Sequence, residues 1–485
     1  MTNINKVQHR SLFIQNIRGV FKLSQYLKLG DDLSPVQLVA HGDNGTFKVM
    51  GGCSWANADD EFNSEFLRSR IEPWLTALFQ SEHLNLLVGA GLSSAIQESA
   101  TGQRPQGMGW IDDLKVCKSE IDAYVEKTAK AAGREKGNIE DQVRSINELI
   151  KGLEILVSLN PTPIPPPAPN PPYRYFPTEL TALREELSRC LKLFADSISN
   201  GENLIRNAES EAKTKTFNYL VNFLMSFSSR AATRDRLHIF TTNYDRIIEM
   251  GAELAGLRLV DRFVGNIAPI FRSSRLEVDY HYNPPGIRGE PRYLEGVARF
   301  TKLHGSLDWY ASDGAIRRFG LPFGATSITP FLQAESAGAA DYQQLMIYPN
   351  SVKDRETSEY PYVELFRDLA SATCRPNSTL VTYGYSFGDE HINRVLLDML
   401  TIPSTHIVII AYGDPLGRIM NFIKDSGRKA QISLLLGDHF GDLTTLVDCY
   451  LPKAAIDRTS IRMTELLKAR GLYPESFQDK SGDKK

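Results

Sequence analysis

Cysteine is scarce in this 485-residue sequence: Cys53, Cys117, Cys190, Cys374 and Cys449 are the five, with no C-x-x-C pair among them. That scarcity argues against a disulfide framework and against a cysteine-rich zinc module, and suits the reduced thiols of a cytosol. Long apolar runs are missing as well. No stretch approaches the roughly 18 consecutive apolar residues of a membrane span, and the first ten residues hold no block of signal-peptide length. Neither secretion nor membrane insertion is expected, and the expected location is the cytoplasm. No charge sign dominates: 55 Lys and Arg stand against 58 Asp and Glu, a net of −3. No global positive field draws the protein onto nucleic acid or an anionic membrane, so any nucleic-acid contact is local or indirect. What remains, 42% apolar and 9% aromatic residues, is ordinary for a globular chain.

Short apolar runs recur at Leu84–Val88, His238–Thr242, Arg299–Leu303, Leu345–Tyr348, Thr379–Tyr383, His406–Ala411 and Ile432–Leu436. Each is bounded by Gly, Asn, Asp or Pro, as buried parallel strands are. Helical spacing lies between several of them, for example Ile392, Val395, Leu396 and Met399. The alternation predicts a doubly wound, mostly parallel α/β sheet. The first two of these runs stand much further apart than one crossover helix requires, which predicts a large helical insertion after the first strand. Ile139, Val143, Ile146, Leu149, Ile150 and Leu153 keep helical spacing there, as do Leu180, Leu183, Leu187, Leu191 and Phe194. A proline-rich linker, 161–172, divides the insertion, because proline supports neither helix interior nor central strand.

Val36–Ala40 and Thr46–Met50 flank Gly42-Asp-Asn-Gly45, the signature of a hairpin. The expected organisation is an N-terminal appendage with hairpin and helix over 1–80, a nucleotide-binding domain over 81–111 and 237–455, the helical insertion over 112–236, and a C-terminal helix with a polar tail over 456–485.

Polar and small residues gather at four strand ends. Leu84–Val88 runs into Gly89-Ala90-Gly91-Leu92-Ser93, where small residues admit a diphosphate and helix-start amides favour an anion. The third glycine of G-x-G-x-x-G is missing, since Ser94 stands there, and no Gly-Lys-[Ser/Thr] follows, so neither the dehydrogenase fingerprint nor a P-loop fits. The second end carries Thr241-Thr242-Asn243-Tyr244-Asp245. Asn243 can hold a water or a ribose hydroxyl, while Asp245 can either act there or cap the following helix. The third end gives Lys302-Leu303-His304-Gly305, where an imidazole that titrates near neutrality can serve as general base. The fourth is Gly384-Tyr385-Ser386-Phe387-Gly388-Asp389. Four such ends in one sheet predict one extended ligand site beyond the carboxyl edge.

Taken in order, Gly89-Ala-Gly-Leu-Ser93, Thr242-Asn-Tyr-Asp245, Lys302-Leu-His-Gly-Ser306 and Gly384-Tyr-Ser-Phe-Gly-Asp389 resemble the motifs of the sirtuin-like NAD-binding family. The likeness is closer to its bacterial branch than to the protein deacylases. It implies a Rossmann-like, sirtuin-like fold and NAD as substrate. By resemblance, the Asn243–Asp245 motif lies at the nicotinamide ribose and His304 is the catalytic base. Gly89, Ala90, Gly91, Ser93 and Thr242 then hold phosphate and ribose, and Gly384, Ser386 and Asp389 the adenosine ribose and phosphates. Two departures weigh against deacylation: the interval Gly305–Gly384 holds only Cys374, so the zinc ribbon is missing and no zinc is expected, and Ala95-Ile-Gln-Glu-Ser-Ala-Thr-Gly replaces the Pro-Asp-Phe-Arg loop.

Bacterial proteins of this pattern are typically anti-phage effectors that hydrolyse NAD to ADP-ribose and nicotinamide once activated. The resemblance therefore implies a gated hydrolase, with Asn243, Asp245 and His304 catalytic. It suggests three gates: a HerA-type ATPase, a short Argonaute, or assembly into a homo-oligomer. An NAD- or ADP-ribose-binding scaffold subunit and an NAD-dependent deacylase are the alternatives.

Overall fold

Alternating side chains of the apolar runs bury both faces of their strands, and this decides the architecture. The computed structural model describes residues 24–30, 32–41, 46–58, 60–105, 109–131, 134, 136–159, 176–230, 234–274, 278–282, 292–335, 342–347 and 360–453. Its strands are β1 (Gln25–Lys28), β2 (Val36–His41), β3 (Thr46–Met50), β4 (Glu61–Asn63), β5 (His83–Val88), β6 (His238–Thr241), β7 (Arg258–Val260), β8 (Phe263–Val264), β9 (Ile270–Phe271), β10 (His281–Tyr282), β11 (Arg292–Tyr293), β12 (Val297–Lys302), β13 (Gly305–Ser312), β14 (Ala315–Arg318), β15 (Leu345–Ile347), β16 (Ser378–Tyr383), β17 (His406–Ala411) and β18 (Ile432–Leu436).

The main sheet has the order β4-β3-β2-β1-β18-β17-β16-β5-β6-β12-β7. From β18 to β7 every neighbouring pair is parallel, as expected for a doubly wound α/β sheet. Leu86, Val88, Val381, Val408 and Leu435 face a core closed by helices Ser64–Phe79, Ala90–Thr101 and Ser210–Ser228. Leu87, Leu380, Ile407, Ile409 and Leu434 face the opposite core, under helices Tyr362–Thr373, Glu390–Leu400 and Arg418–Asp425. From β5 the chain winds outward through β6, whereas β16, β17 and β18 wind the other way. The boundary between β5 and β16 is thus a switch point, where open α/β sheets bind ligands.

The N-terminal hairpin is less separate than its sequence suggests. Strands β1 to β4 form an antiparallel meander that joins the main sheet through β1 against β18, with Tyr26 opposite Leu436. The hairpin's turn, the linker 161–172 and the segment 456–485 lie outside the described residues. The run at Leu345 also differs from its expectation as a buried parallel strand. It forms β15, antiparallel to β13 in a second sheet of order β15-β13-β14-β9-β8. A short apolar run specifies burial but not the direction of its neighbour.

Between β5 and β6 the described residues are mostly helical, as expected. Helices Lys118–Ala131, Ile139–Leu159 and Phe176–Arg206 share a core that includes Val125, Val143, Ile146, Leu183, Leu187 and Phe194. Helix Ser210–Ser228 instead packs on the sheet through Leu220, Phe223 and Phe227. Tyr244, Leu307 and Tyr310 from the sheet end complete the first of these cores, so the helical layer rests directly on the loop that follows β6.

Candidate active site

Backbone register brings the four motifs to one line. Val88 pairs with Tyr383 on one side and Thr241 on the other, and Thr241 pairs with Lys302. Gly89, Thr242, Leu303 and Gly384 therefore each step off the sheet at the same level. The hydrogen bonds Thr242 N to Val88 O (3.2 Å) and Leu303 N to Thr241 O (2.8 Å) carry the ladder to its last rung.

The glycines at the switch point have a reason of their own. Gly384 has φ +61°, and a Cβ there would stand 2.6 Å from the Gly91 Cα; one on Gly89 would stand 2.5 Å from the Gly384 carbonyl oxygen. Gly89 N donates to Tyr383 O and Gly91 N to Gly384 O, each at 3.0 Å. Whatever ligand approaches here, these residues must also be small because the two loops touch backbone to backbone. Ala90 is exposed at the start of the helix, and Ser93 is half-buried one turn on.

Asn243, only 7% exposed, is fixed through its amide. Its Nδ2 donates to Gly89 O (3.0 Å) and to Ser93 Oγ (2.9 Å). Both amide hydrogens are thereby engaged, and Oδ1 is left as the acceptor for a hydroxyl or water. Ser93 Oγ in turn donates to Asp245 Oδ2 (2.5 Å), while Asp245 Oδ1 accepts from Ile247 N (3.1 Å). Asp245 thus holds the first amide of helix Ile247–Leu254, for which Arg246 is the N-cap residue, and turns its other oxygen to Ser93. Thr241 supports the turn, its Oγ1 donating to Val88 O and accepting from Asn243 N, both at 3.0 Å.

His304 lies two residues past β12, as Asn243 lies two past β6. Its Nε2 meets Asp389 Oδ2 at 2.9 Å, and its ring centroid is 6.3 Å from that of Tyr244. The other Asp389 oxygen accepts from His391 N and Ile392 N, capping helix Glu390–Leu400. Resemblance gives Asp389 to the adenosine side of the site, whereas here it pairs with the histidine. A carboxylate on one ring nitrogen favours a proton there and fixes the orientation of the ring. Tyr385 supports the pair: burial, together with the Asp389 charge, holds its phenol well above the usual range. It stays protonated, and its one hydroxyl hydrogen is shared between Asp389 O (3.2 Å) and Asn393 Oδ1 (3.0 Å).

Gly305 follows the same logic as the other glycines. Its φ is +90° and a Cβ would lie 1.9 Å from Met346 O, so the approach of β15 by itself demands it. Ser386 is exposed beside Phe387, which is held at φ +54° by burial against Tyr385 and Phe422 and by Asn393 Nδ2 donating to its carbonyl (3.0 Å). Such a costly conformation persists where the surroundings over-determine it.

Three contributors had escaped assignment from sequence. Lys302, 1% exposed, spans beneath the Asn243 loop, its Nζ donating to Asp245 O (2.5 Å), Tyr244 O (3.3 Å) and Glu249 Oε1 (2.9 Å). Arg418 lies over the Ser386 turn, its Nη1 2.9 Å from where a Gly388 Cβ would stand. Asp414, beyond β17 on the same edge, accepts from Ile419 N (2.8 Å) and Met420 N (3.1 Å). Among the described residues, no group of three or more His, Cys, Asp and Glu side chains could hold a metal ion, and no helix is long and apolar enough to cross a membrane.

Residues 237–430 match the SIR2-like domain, whose family uses NAD. The matched stretch takes in Asn243, Asp245, His304, Ser386 and Asp389 but begins after Gly89–Ser93, which the hydrogen bonds of Asn243 and Gly384 tie to it. No curated protein matches the chain.

Proposed function

We propose that this chain is an NAD hydrolase that releases nicotinamide and ADP-ribose, and that Asn243, Asp245 and His304 carry the reaction. The observation that supports this most is the common level of the loops after β5, β6, β12 and β16, with the Asn243–Ser93–Asp245 cluster on one strand end and the His304–Asp389 pair on the next. The SIR2-like domain supplies the substrate class.

In NAD the nicotinamide ring already carries the positive charge, so the carbon–nitrogen bond breaks without an acid: nicotinamide leaves neutral with the bonding pair, and the charge passes to an oxocarbenium-like ribose. Asp245 offsets that charge. Asn243 Oδ1 accepts a hydrogen from the attacking water or from a ribose hydroxyl. His304, held by Asp389, takes the proton released when water adds to the ribosyl carbon. The balance is NAD plus water giving nicotinamide, ADP-ribose and a proton. The diphosphate rests on the start of helix Ala90–Thr101 and on the Arg418 guanidinium, and the adenosine on the Gly384–Ser386 turn.

Biologically, the resemblance supports an anti-phage effector in the cytoplasm, gated by a HerA-type ATPase, a short Argonaute or homo-oligomer assembly. No resident cofactor or zinc is assigned. The test is NAD consumption with product identification for the chain and for Asn243→Ala and His304→Ala, with and without the product of its genomic neighbour. The expected result is nicotinamide and ADP-ribose in equal amounts, cut on the order of 1,000-fold in both variants. NAD bound but unconsumed under every condition would sink the hydrolase.

A further inference from the structure

The segment after β6 divides its side chains between two neighbours. Asn243 and Asp245 face the Gly89–Ser93 loop, as described above, whereas Tyr244 and Arg246 reach the helical insertion. Tyr244 packs edge-on against Phe194, with ring centroids 5.6 Å apart, and its hydroxyl donates to Glu140 Oε1 at 3.4 Å. Arg246 meets Glu202, whose side chain is 0% exposed. Glu202 Oε1 accepts from Arg246 N (2.8 Å) and Nε (3.2 Å), and Oε2 from Arg246 Nη2 (2.5 Å) and Gly324 N (3.2 Å).

The same helix holds the 324–325 turn through Asn203 Nδ2 to Gly324 O (2.9 Å) and Ser199 Oγ to Ala325 O (2.6 Å). Gly324 itself is at φ +68°, with room for a Cβ only 2.9 Å from Arg206 Cβ. One buried carboxylate from the insertion thus fixes a backbone amide and the guanidinium immediately after Asp245. A buried pair with all these donors is costly to break from one side, because the other charge stays buried without a partner.

We propose that Glu202 is a positioning residue for the active site: through Arg246 it sets the geometry of the Asn243–Asp245 segment, so the helical insertion is a working part of the site and movement of that layer would register in catalysis. This rests on the hydrolase reading for its catalytic consequence, and on the hydrogen bonds alone for the positioning. Rigidity at this loop matters because a displacement of about 1 Å in a reacting group costs on the order of 100-fold in rate.

The experiment compares the full chain with Glu202→Gln, which keeps shape and removes charge, and with Phe194→Leu, which withdraws the ring from Tyr244 and introduces no buried charge. Arg184→Ala, which breaks the exposed pair with Glu154 in the same layer, is the control. Steady-state kcat and KM for nicotinamide release are read together with hydrogen exchange at the amides of 243–247. The expected result is a kcat lower on the order of 100-fold with KM within about threefold, exchange at those amides faster by about tenfold or more, and the control unchanged. Phe194→Leu should move both readouts the same way, which keeps the proposal open to disproof if Glu202→Gln does not fold. Parent-like exchange in the folded variants overturns the proposal, and so does faster exchange with parent-like kcat. If the unsubstituted chain releases no nicotinamide, the hydrolase reading alone has failed, and the exchange at 243–247 decides whether Glu202 positions the loop.

Discussion

At the scale of single residues, the site depends on one hydroxyl that joins two catalytic candidates. Ser93 Oγ accepts from Asn243 Nδ2 and donates to Asp245 Oδ2, so its removal takes one hydrogen bond from each side chain and leaves Asn243 held only by Gly89 O and Asp245 only by Ile247 N. Ser93→Ala is therefore expected to lower kcat on the order of 10- to 100-fold while NAD binding changes little. Steady-state kinetics beside an equilibrium binding measurement checks this, and a loss confined to binding would make Ser93 a phosphate ligand only. The candidates at this scale were visible in the sequence because Asn, Asp and His after a strand are chemically conspicuous. Their partners were not. Asp389 reaches His304, Glu202 reaches Arg246, and Lys302 reaches two carbonyls of the loop, and each link joins residues that spacing along the chain cannot associate. Lys302 was further disguised, since a lysine within a strand reads as a solvated charge unless its burial is known.

At the scale of elements, the β5 and β16 ends meet through glycine, and the approach can be separated from conformation by comparing two positions. Gly384 and Gly102 both have positive φ, +61° and +71°, but a Cβ on Gly384 would strike the Gly91 backbone at 2.6 Å whereas nothing lies within 4 Å of one on Gly102. Gly102→Ala is expected to cost about 1 kcal/mol for the left-handed backbone alone. Gly384→Ala adds a backbone clash and should cost at least about 3 kcal/mol, or fail to fold. Equal urea midpoints for the two variants would dismiss the clash. The strands and the insertion were legible because period and burial are written in the sequence of each element. The hairpin β2–β3 is legible from its turn residues, but the pairing of β1 with β18 and the antiparallel direction of β15 are not, because which strand lies next to which is decided by long-range pairing.

At the scale of the whole molecule, three histidines fold neutral, His238 buried and His406 and His439 half-buried. Burial lowers His406 to about 4, pushes His439 down and holds His238 well below the ordinary value. His406 Nε2 is engaged with Ser433 Oγ at 2.8 Å, and His238 Nε2 with Thr301 Oγ1 at 2.9 Å. A histidine whose folded pKa lies below its unfolded value stabilises the fold fully above the unfolded pKa, near 6.5. Between that pH and the folded pKa the unfolded chain binds the extra proton, so stability falls as pH falls, and below the folded pKa the loss is complete. For His406 the window is about 6.5 to 4, which amounts to about 2 kcal/mol lost between pH 7.5 and pH 5. Unfolding in urea at those two pH values, for the parent chain and for His406→Gln, isolates this contribution, because other titrating groups act equally on both. The variant should start less stable at pH 7.5 and lose about 2 kcal/mol less than the parent on acidification. Parallel losses in the two proteins would mean that His406 is already solvated in the fold, and would remove it as a source of acid sensitivity.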